Sequence, residues 1–331
     1  MVTSRSAPRP APGAARETPR GSPLGDRTGL LLGVGAYLLW GILPLYFPLV
    51  RPAGAAEIVA HRVVWSLVLC AAVLAITGQS GPLRAAIRSR RALALLSIAA
   101  VLIGVNWLTY VFAVLAEHVI EASLGYFINP LVTVLLAVFL LHERLRPMQW
   151  WALGAGAFAV VVITVGYGRL PWISLVLAFT FGLYGLVKHR VGRQVNALTG
   201  LTIETAVLAP LALGYLLWLE RSGDGSFTNH GLSHAALLVA AGVVTALPLI
   251  MFAGAARRLP LSIIGLLQYL APILQFLVGL LVFREAMPAA RWWGFALVWI
   301  ALVVLSVDGV RSHRSANPAP LRREQALDPA D

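Results

Sequence analysis

The chain is poor in charge, in acid and in cysteine. Charged residues make up 12%, only 14 are Asp or Glu, and there is one cysteine in 331 residues. That lone thiol, Cys70, sits inside an apolar run, so there is neither a disulfide framework nor a cysteine metal site. Enzyme signatures are missing too. His142-Glu143 lacks the second histidine of a zinc-protease helix, and no glycine cluster follows a strand and opens a helix. Without a nucleotide-binding motif, an ATP-driven pump within this chain is excluded. No constellation supports covalent catalysis, and no cofactor or metal is expected.

What the chain has in excess is apolar length. Hydrophobic residues reach 59% and the mean hydropathy is +0.80. Runs of 18 or more apolar residues recur along it, each long enough for a hydrocarbon core of about 30 Å. The net charge of +12 points to topology rather than nucleic acid, because Lys and Arg fall in the gaps between runs and in the tails. The expected partners are the lipid bilayer and a small-molecule substrate. Residues 1–27, rich in Pro, Arg, Ser and Gly, read as a disordered cytoplasmic tail. The apolar run after them is too long for a signal-peptide core and lacks a small-residue cleavage site.

One pattern is written twice. Ser123 to Trp151 (SLGYFINPLVTVLLAVFLLHERLRPMQWW) is answered by Gly265 to Trp293 (GLLQYLAPILQFLVGLLVFREAMPAARWW). An offset of 142 places Pro130 on Pro272, Glu143 on Glu285 and Trp150-Trp151 on Trp292-Trp293. Around these copies the sequence reads as ten spans: Thr28–Val50, Gly54–Thr77, Ala92–Ala116, Val119–Leu141, Met148–Gly168, Pro171–Lys188, Leu198–Leu219, His234–Ala256, Pro260–Phe283 and Ala289–Asp308. Residues 309–331 read as a second disordered cytoplasmic tail.

Charge sets the orientation. With the N-terminus inside, the inner segments hold Arg5, Arg9, Arg16, Arg20 and Arg27, then Arg84, Arg88, Arg90 and Arg91, then Arg144 and Arg146. They continue with Lys188, Arg190 and Arg193, Arg257 and Arg258, and Arg311, Arg314, Arg322 and Arg323. The outer segments hold only Arg51, Arg169, Arg221, Arg284 and Arg291. The bias places both termini in the cytoplasm. Five spans per half, 28–168 and 171–308, is an odd number, so equivalent spans run in opposite directions. Weaker echoes agree: Tyr37 to Gly41 resembles Phe181 to Gly185, and Glu57 is answered by Glu204. The expected architecture is an all-α membrane protein of ten helices in two inverted five-helix repeats, with cargo near mid-membrane between them.

Several stretches resemble the RarD-type members of the EamA group in the drug/metabolite transporter superfamily. They are AYLLWGILPLYF from Ala36, EIVAHRVVWS from Glu57, NWLTYVFAV from Asn106 and EASLGYFINPLVTVLLAVFLLHERLRPMQW from Glu121. The second half adds GLTIETAVLAP from Gly200, TALPL from Thr245 and LLQYLAPILQFLVG from Leu266. The resemblance implies a bacterial inner-membrane permease with two EamA repeats, in most members without an assigned substrate.

Polar groups inside spans are the functional candidates. Glu57 and His61 are one turn apart on one face of span two, with Arg62 partly turned from it. They read either as a proton-coupling or substrate cluster, or as an ion pair near the outer interface. Glu121 and Glu204 stand near helix starts, where a carboxylate offsets the positive end of its own helix or carries a proton. Asn106, Trp107 and Tyr110 in span three, and Tyr126 and Asn129 beside Pro130 in span four, are more central. Their counterparts are Gln268, Tyr269 and Gln275 around Pro272. Each proline frees a carbonyl for a neighbour or ligand. Trp40 and Tyr184, paired by the repeat, complete the expected path, while Trp150, Trp151, Trp292 and Trp293 read as interface anchors. Such residues either line a cavity or hold helices together.

The function this supports is secondary-active transport of a small organic solute by alternating access, with proton coupling as an option. The competing readings are an intramembrane lipid-modifying enzyme built on Glu57 and His61, and a scaffold that transports nothing. The topology has a direct test. In a Cys70→Ala background, Arg144→Cys and Arg284→Cys are expected to label from opposite sides of the membrane. Labelling from the same side rules out the inverted arrangement.

Overall fold

The structure is a computed structural model that describes residues 26–78, 80–142, 145–191 and 195–316. The expected tail up to residue 25, the Glu143-Arg144 turn, Arg193 and the tail from residue 317 lie outside the described residues.

Thirteen α-helices and no strand are found among the described residues. They are α1 (Arg27–Ile42), α2 (Ala55–Ile76), α3 (Ser80–Arg88), α4 (Arg90–Leu115), α5 (Val119–Leu141), α6 (Pro147–Tyr167) and α7 (Trp172–Val191). After them come α8 (Ala197–Ser222), α9 (Ser226–Asn229), α10 (Gly231–Ala256), α11 (Leu261–Leu267), α12 (Leu270–Leu281) and α13 (Ala289–Ala316). Ten segments are long and apolar enough to cross a membrane. The ninth combines α11 and α12.

Local chemistry sets the helix ends. Asp26 caps α1 by accepting the Thr28 N–H at 3.0 Å. Pro44 and Pro48 cannot extend α1, and the chain leaves it through two short 3-10 turns, Leu43–Leu45 and Phe47–Val50. The last helix runs to Ala316, two turns past Asp308 where the sequence ends its span.

Three features depart from the expected pattern. The stretch expected as an inner loop, 78–91, contains α3, an amphipathic helix that buries Ala86 and exposes Arg84 and Arg88. Its Leu83 packs on Leu96 and Ile203, which is how a short helix lies along a membrane surface. The stretch expected as an outer loop holds α9. The ninth span, expected to be continuous, breaks at Gln268 and Tyr269. Pro272 has no N–H for the Gln268 carbonyl one turn back, so the ladder is interrupted there. Pro130, its counterpart by the repeat, sits inside the unbroken α5.

The two halves interleave. α1 packs on α10 and α12, α7 packs on α4 and α5, and α2 meets both α8 and α10. Exchanging equivalent helices maps these contacts onto each other: α1·α10 onto α7·α4, α1·α12 onto α7·α5, and α2·α10 onto α8·α4. The pairs α2·α8, α5·α12 and α6·α13 map onto themselves. One apolar core joins α5, α6, α12 and α13, and others join α2 and α4 to α7, α8 and α10.

Small residues set the closest crossings. A Cβ on Gly125 of α5 would lie 2.7 Å from the Ser174 carbonyl oxygen of α7. On Gly242 of α10 it would lie 2.5 Å from the Trp65 carbonyl carbon of α2. Backbone cannot step aside as a side-chain tip can, so Gly242→Ala is expected to cost about 1–3 kcal/mol, the usual range for overpacking. Gly214→Ala, where nothing lies within 4 Å of the new atom, should stay within about 0.5 kcal/mol of wild type. Equal melting temperatures for the two variants in detergent would contradict this packing.

Candidate functional site

The three charged residues of α2 separate into different environments. Glu57 is buried, and its Oε1 accepts the N–H and the hydroxyl of Ser226, both at 2.8 Å. It therefore caps the short α9, with His234 Nε2 3.0 Å from the same hydroxyl. Glu57 makes no ion pair among the described residues, so the ion-pair expectation fails for it. Nor does any hydrogen bond join it to His61. The His61 ring stacks on Phe227 at 5.0 Å, and its Nδ1 accepts the Trp65 indole N–H at 3.3 Å. Its Nε2 is buried without a partner.

Arg62 turns inward. It is 4% exposed, and its Nε donates to Thr245 Oγ1 of α10 at 2.9 Å. The guanidinium carbon lies 4.7 Å from the Trp107 ring centroid and 5.5 Å from that of Phe47. Nη1 is buried with no hydrogen-bond partner, and no carboxylate among the described residues pairs with the group. Arg62 stands about 10 Å along α2, taking 1.5 Å per residue from Ala55.

Asn106 fastens the opposite wall. Its Nδ2 donates to the Leu177 carbonyl at 3.1 Å and to Thr180 Oγ1 at 3.0 Å, both on α7. Its Oδ1 accepts the Tyr126 hydroxyl at 3.2 Å. This amide ties α4 and α5 to α7. The Tyr110 hydroxyl is buried without a partner.

From here a ladder of rings runs through the molecule. Phe47 meets Tyr110 at 6.0 Å, Tyr110 meets Tyr126 at 5.7 Å, Tyr126 meets Phe181 at 5.9 Å and Phe181 meets Tyr184 at 6.0 Å. Tyr184 donates to Glu204 Oε2 at 3.1 Å, and Lys188 binds Glu204 Oε1 at 2.7 Å. Lys188 also lies 5.7 Å from the Tyr184 ring centroid. One end of the ladder is an unpaired cation and the other an ion pair in which Glu204 is buried and Lys188 partly exposed. Glu204 thus serves a neighbouring helix rather than the start of its own.

The second-half candidates gather elsewhere. Gln275 Nε2 donates to the Trp40 carbonyl at 3.0 Å, leaving its Oε1 buried and unpartnered. The Trp40 ring packs on Tyr37 at 5.4 Å and Phe252 at 5.8 Å. Tyr269 approaches Ser306 at 3.5 Å, and Gln268 is exposed at the helix break. Asn129 faces Gly182 of α7, with its Oδ1 unpartnered. The structure therefore gathers Arg62, Asn106, Trp107, Tyr110 and Tyr126, and reaches Tyr184 through Phe181. It does not bring Trp40, Gln268, Tyr269 or Gln275 to that cluster. Phe47, Phe181 and Thr245 were not legible as members, because an apolar ring or a threonine in a span carries no polar signal. An apolar cavity of about 300 Å³ opens between the end of α1 and α10, with Leu43, Tyr46 and Pro248 in its wall and none of the gathered side chains lining it.

Carboxylates also close the end of the bundle nearest Glu57. Glu121 does not cap its own helix; its Oε1 accepts the Ile173 N–H at the start of α7 at 3.2 Å, and Arg169 reaches its Oε2 at 3.4 Å. The start of α5 is capped by Glu285, which accepts the N–H groups of Val119 and Ile120. Arg291 lies 3.9 Å from Glu285.

Known proteins resemble this chain closely. The EamA-like transporter family matches residues 27–165. Protein RarD of Streptomyces exfoliatus is 54% identical over 289 residues, covering 87% of this chain and 91% of the relative. An uncharacterized transporter of Vibrio cholerae is 42% identical (88% and 96% covered), and Protein RarD of Escherichia coli 41% identical (87% and 97%). A solved crystal structure superposes with a TM-score of 0.57 at 21% identity, covering 86% of this chain and 99% of its own. That likeness bears on the fold alone.

Glu285 supplies a pH prediction. Burial pushes its carboxyl up from 4.5 to about 7, against the opposing pull of the two backbone N–H groups and Arg291. The native state then holds this proton more tightly than the unfolded chain does. Its contribution to stability is complete below about 4.5 and is lost as the pH rises through about 7. In Glu285→Gln the fall in melting temperature across that window is expected to flatten. An unchanged pH profile would show that Glu285 does not titrate there.

Proposed function

The chain belongs to the EamA-like transporter family, among its RarD-type permeases, and from that premise we propose that it moves a small organic solute across the bacterial cytoplasmic membrane by alternating access. It is a multi-pass membrane transporter and not an enzyme. In this reading residues 28–168 and 171–308 are inverted repeats, and both termini face the cytoplasm. The exchange symmetry of the helix contacts supports the repeat, and the placement of Arg and Lys supports the orientation.

The observation that carries the reading is the ring ladder from Phe47 to Tyr184, walled by both halves. Aromatic faces give a solute weak, sequential holds, strong enough to admit it and weak enough to release it. Phe47, Tyr110 and Tyr126 come from the first half, Phe181 and Tyr184 from the second, so relative motion of the halves opens one end at a time. The Glu204–Lys188 pair at the far end is the coupling candidate, since a proton on Glu204 would release both Lys188 and Tyr184. Glu57 we assign to structure, because Ser226 occupies its carboxylate. An intramembrane enzyme would need Glu57 and His61 acting together, and they are engaged with different partners.

Two measurements test this. Cells with and without the protein are expected to differ in the distribution of at least one small solute across the membrane. In proteoliposomes Phe181→Ala, which removes a rung of the ladder, should slow flux of that solute roughly tenfold, the loss of about 1.4 kcal/mol of binding along the path. No difference in any solute, or a soluble product released from lipid, would end the permease reading. For coupling, Glu204→Gln is expected to abolish flux driven by a pH step while exchange continues, and Glu57→Gln should retain both. The opposite pattern would return the coupling role to Glu57.

A further inference from the structure

We propose that Arg62 recognises the charge of the cargo and that the cargo is a small organic anion, a carboxylate on an apolar or aromatic body. This rests on the permease reading of the same site. Arg62 is the one described residue of a span whose charge is buried while a guanidinium nitrogen stays unpartnered. Its single hydrogen bond goes to a neutral hydroxyl, that of Thr245. Its other neighbours are the rings of Trp107 and Phe47, with the phenols of Tyr126, Tyr110 and Tyr46 within electrostatic reach.

No carboxylate of the described chain neutralises it. Glu57, five residues back on the same helix, is held by Ser226. Glu204 belongs to Lys188 and Tyr184, Glu121 to Arg169 and Ile173, and Glu285 to the start of α5. A cation inside a span is costly, and ring faces offset only part of that cost. A carboxylate would complete it, because the guanidinium fork matches two carboxylate oxygens. Two of the three nearby phenols are spent: Tyr126 donates to Asn106 and Tyr46 to the Leu237 carbonyl at 2.6 Å. The third, Tyr110, has a free hydroxyl to add. Trp107 and Phe47 supply the apolar flank. A cationic cargo meets repulsion here, and a neutral one can accept a hydrogen bond from Nη1 but leaves the buried charge unneutralised.

The test uses the full chain in detergent and a panel of acids (acetate, benzoate, phenylacetate and indole-3-acetate) beside the matching amides. At least one acid is expected to raise the melting temperature of wild type while its amide does not. Arg62→Gln should lose that response. Arg62→Lys and Tyr110→Phe, which disturb packing less, should weaken it, so the test survives if Arg62→Gln does not fold. Acids and amides that act alike, including no response to either, overturn the assignment. So does a response that persists undiminished in the Arg62 variants. Counterflow of labelled benzenesulfonate, which stays ionised and does not leak, separates this inference from the permease reading. Acid-specific binding without flux would end the permease reading and leave the anion site standing. Flux of a neutral solute that Arg62→Gln leaves unchanged would do the reverse.

Discussion

Hydrocarbon offers no hydrogen-bond partner, so every polar group in a span must find one inside the chain or remain costly. The structure is arranged around that constraint. Asn106 spends its whole amide tying α4 and α5 to α7. Glu57 and Glu121 each cap the start of a helix other than their own, and Glu285, from the connection after α12, caps the start of α5. The carboxylates thereby do two jobs, satisfying a helix end and fixing which helices are neighbours. Several neutral groups also go unmet, but what stands out is a charged one, a guanidinium among rings.

The fold was legible where the signal was apolar length and charge placement. Ten apolar runs read from the sequence correspond to ten segments able to cross a membrane. The resemblance carried by runs such as GYFINPL reached the family, which whole-length relatives then established. Boundaries were less clear, because hydropathy cannot see a cap or a proline's missing donor. The interruption at Gln268 and the surface helix holding Arg84 and Arg88 were both hidden inside stretches that read as one span or one loop.

The candidate cluster was half legible. Asn106, Trp107, Tyr110 and Tyr126 are polar or aromatic residues in apolar surroundings, and the structure gathers them. Glu57 and His61 share a face of α2 and still part company, since spacing along one helix says nothing about what the neighbouring helices present. Ser226 lies 169 positions from Glu57, and no local pattern announces such a contact. Matched positions in the two copies also led too far. Gln268 and Gln275 mirror the first-half set in sequence, yet they stand apart from the Arg62 cluster.

That inequality has a mechanical side. One proline lies in a continuous helix, and its twin follows a break. Under the alternating access proposed above, a rod in the first half and a hinge in the second would bend differently as the halves swing, with the bend gathering near Tyr269. The two strokes would then cross barriers of different height, and two copies of a single design would run half-cycles of different speed, while the direction of net movement would still belong to the gradients.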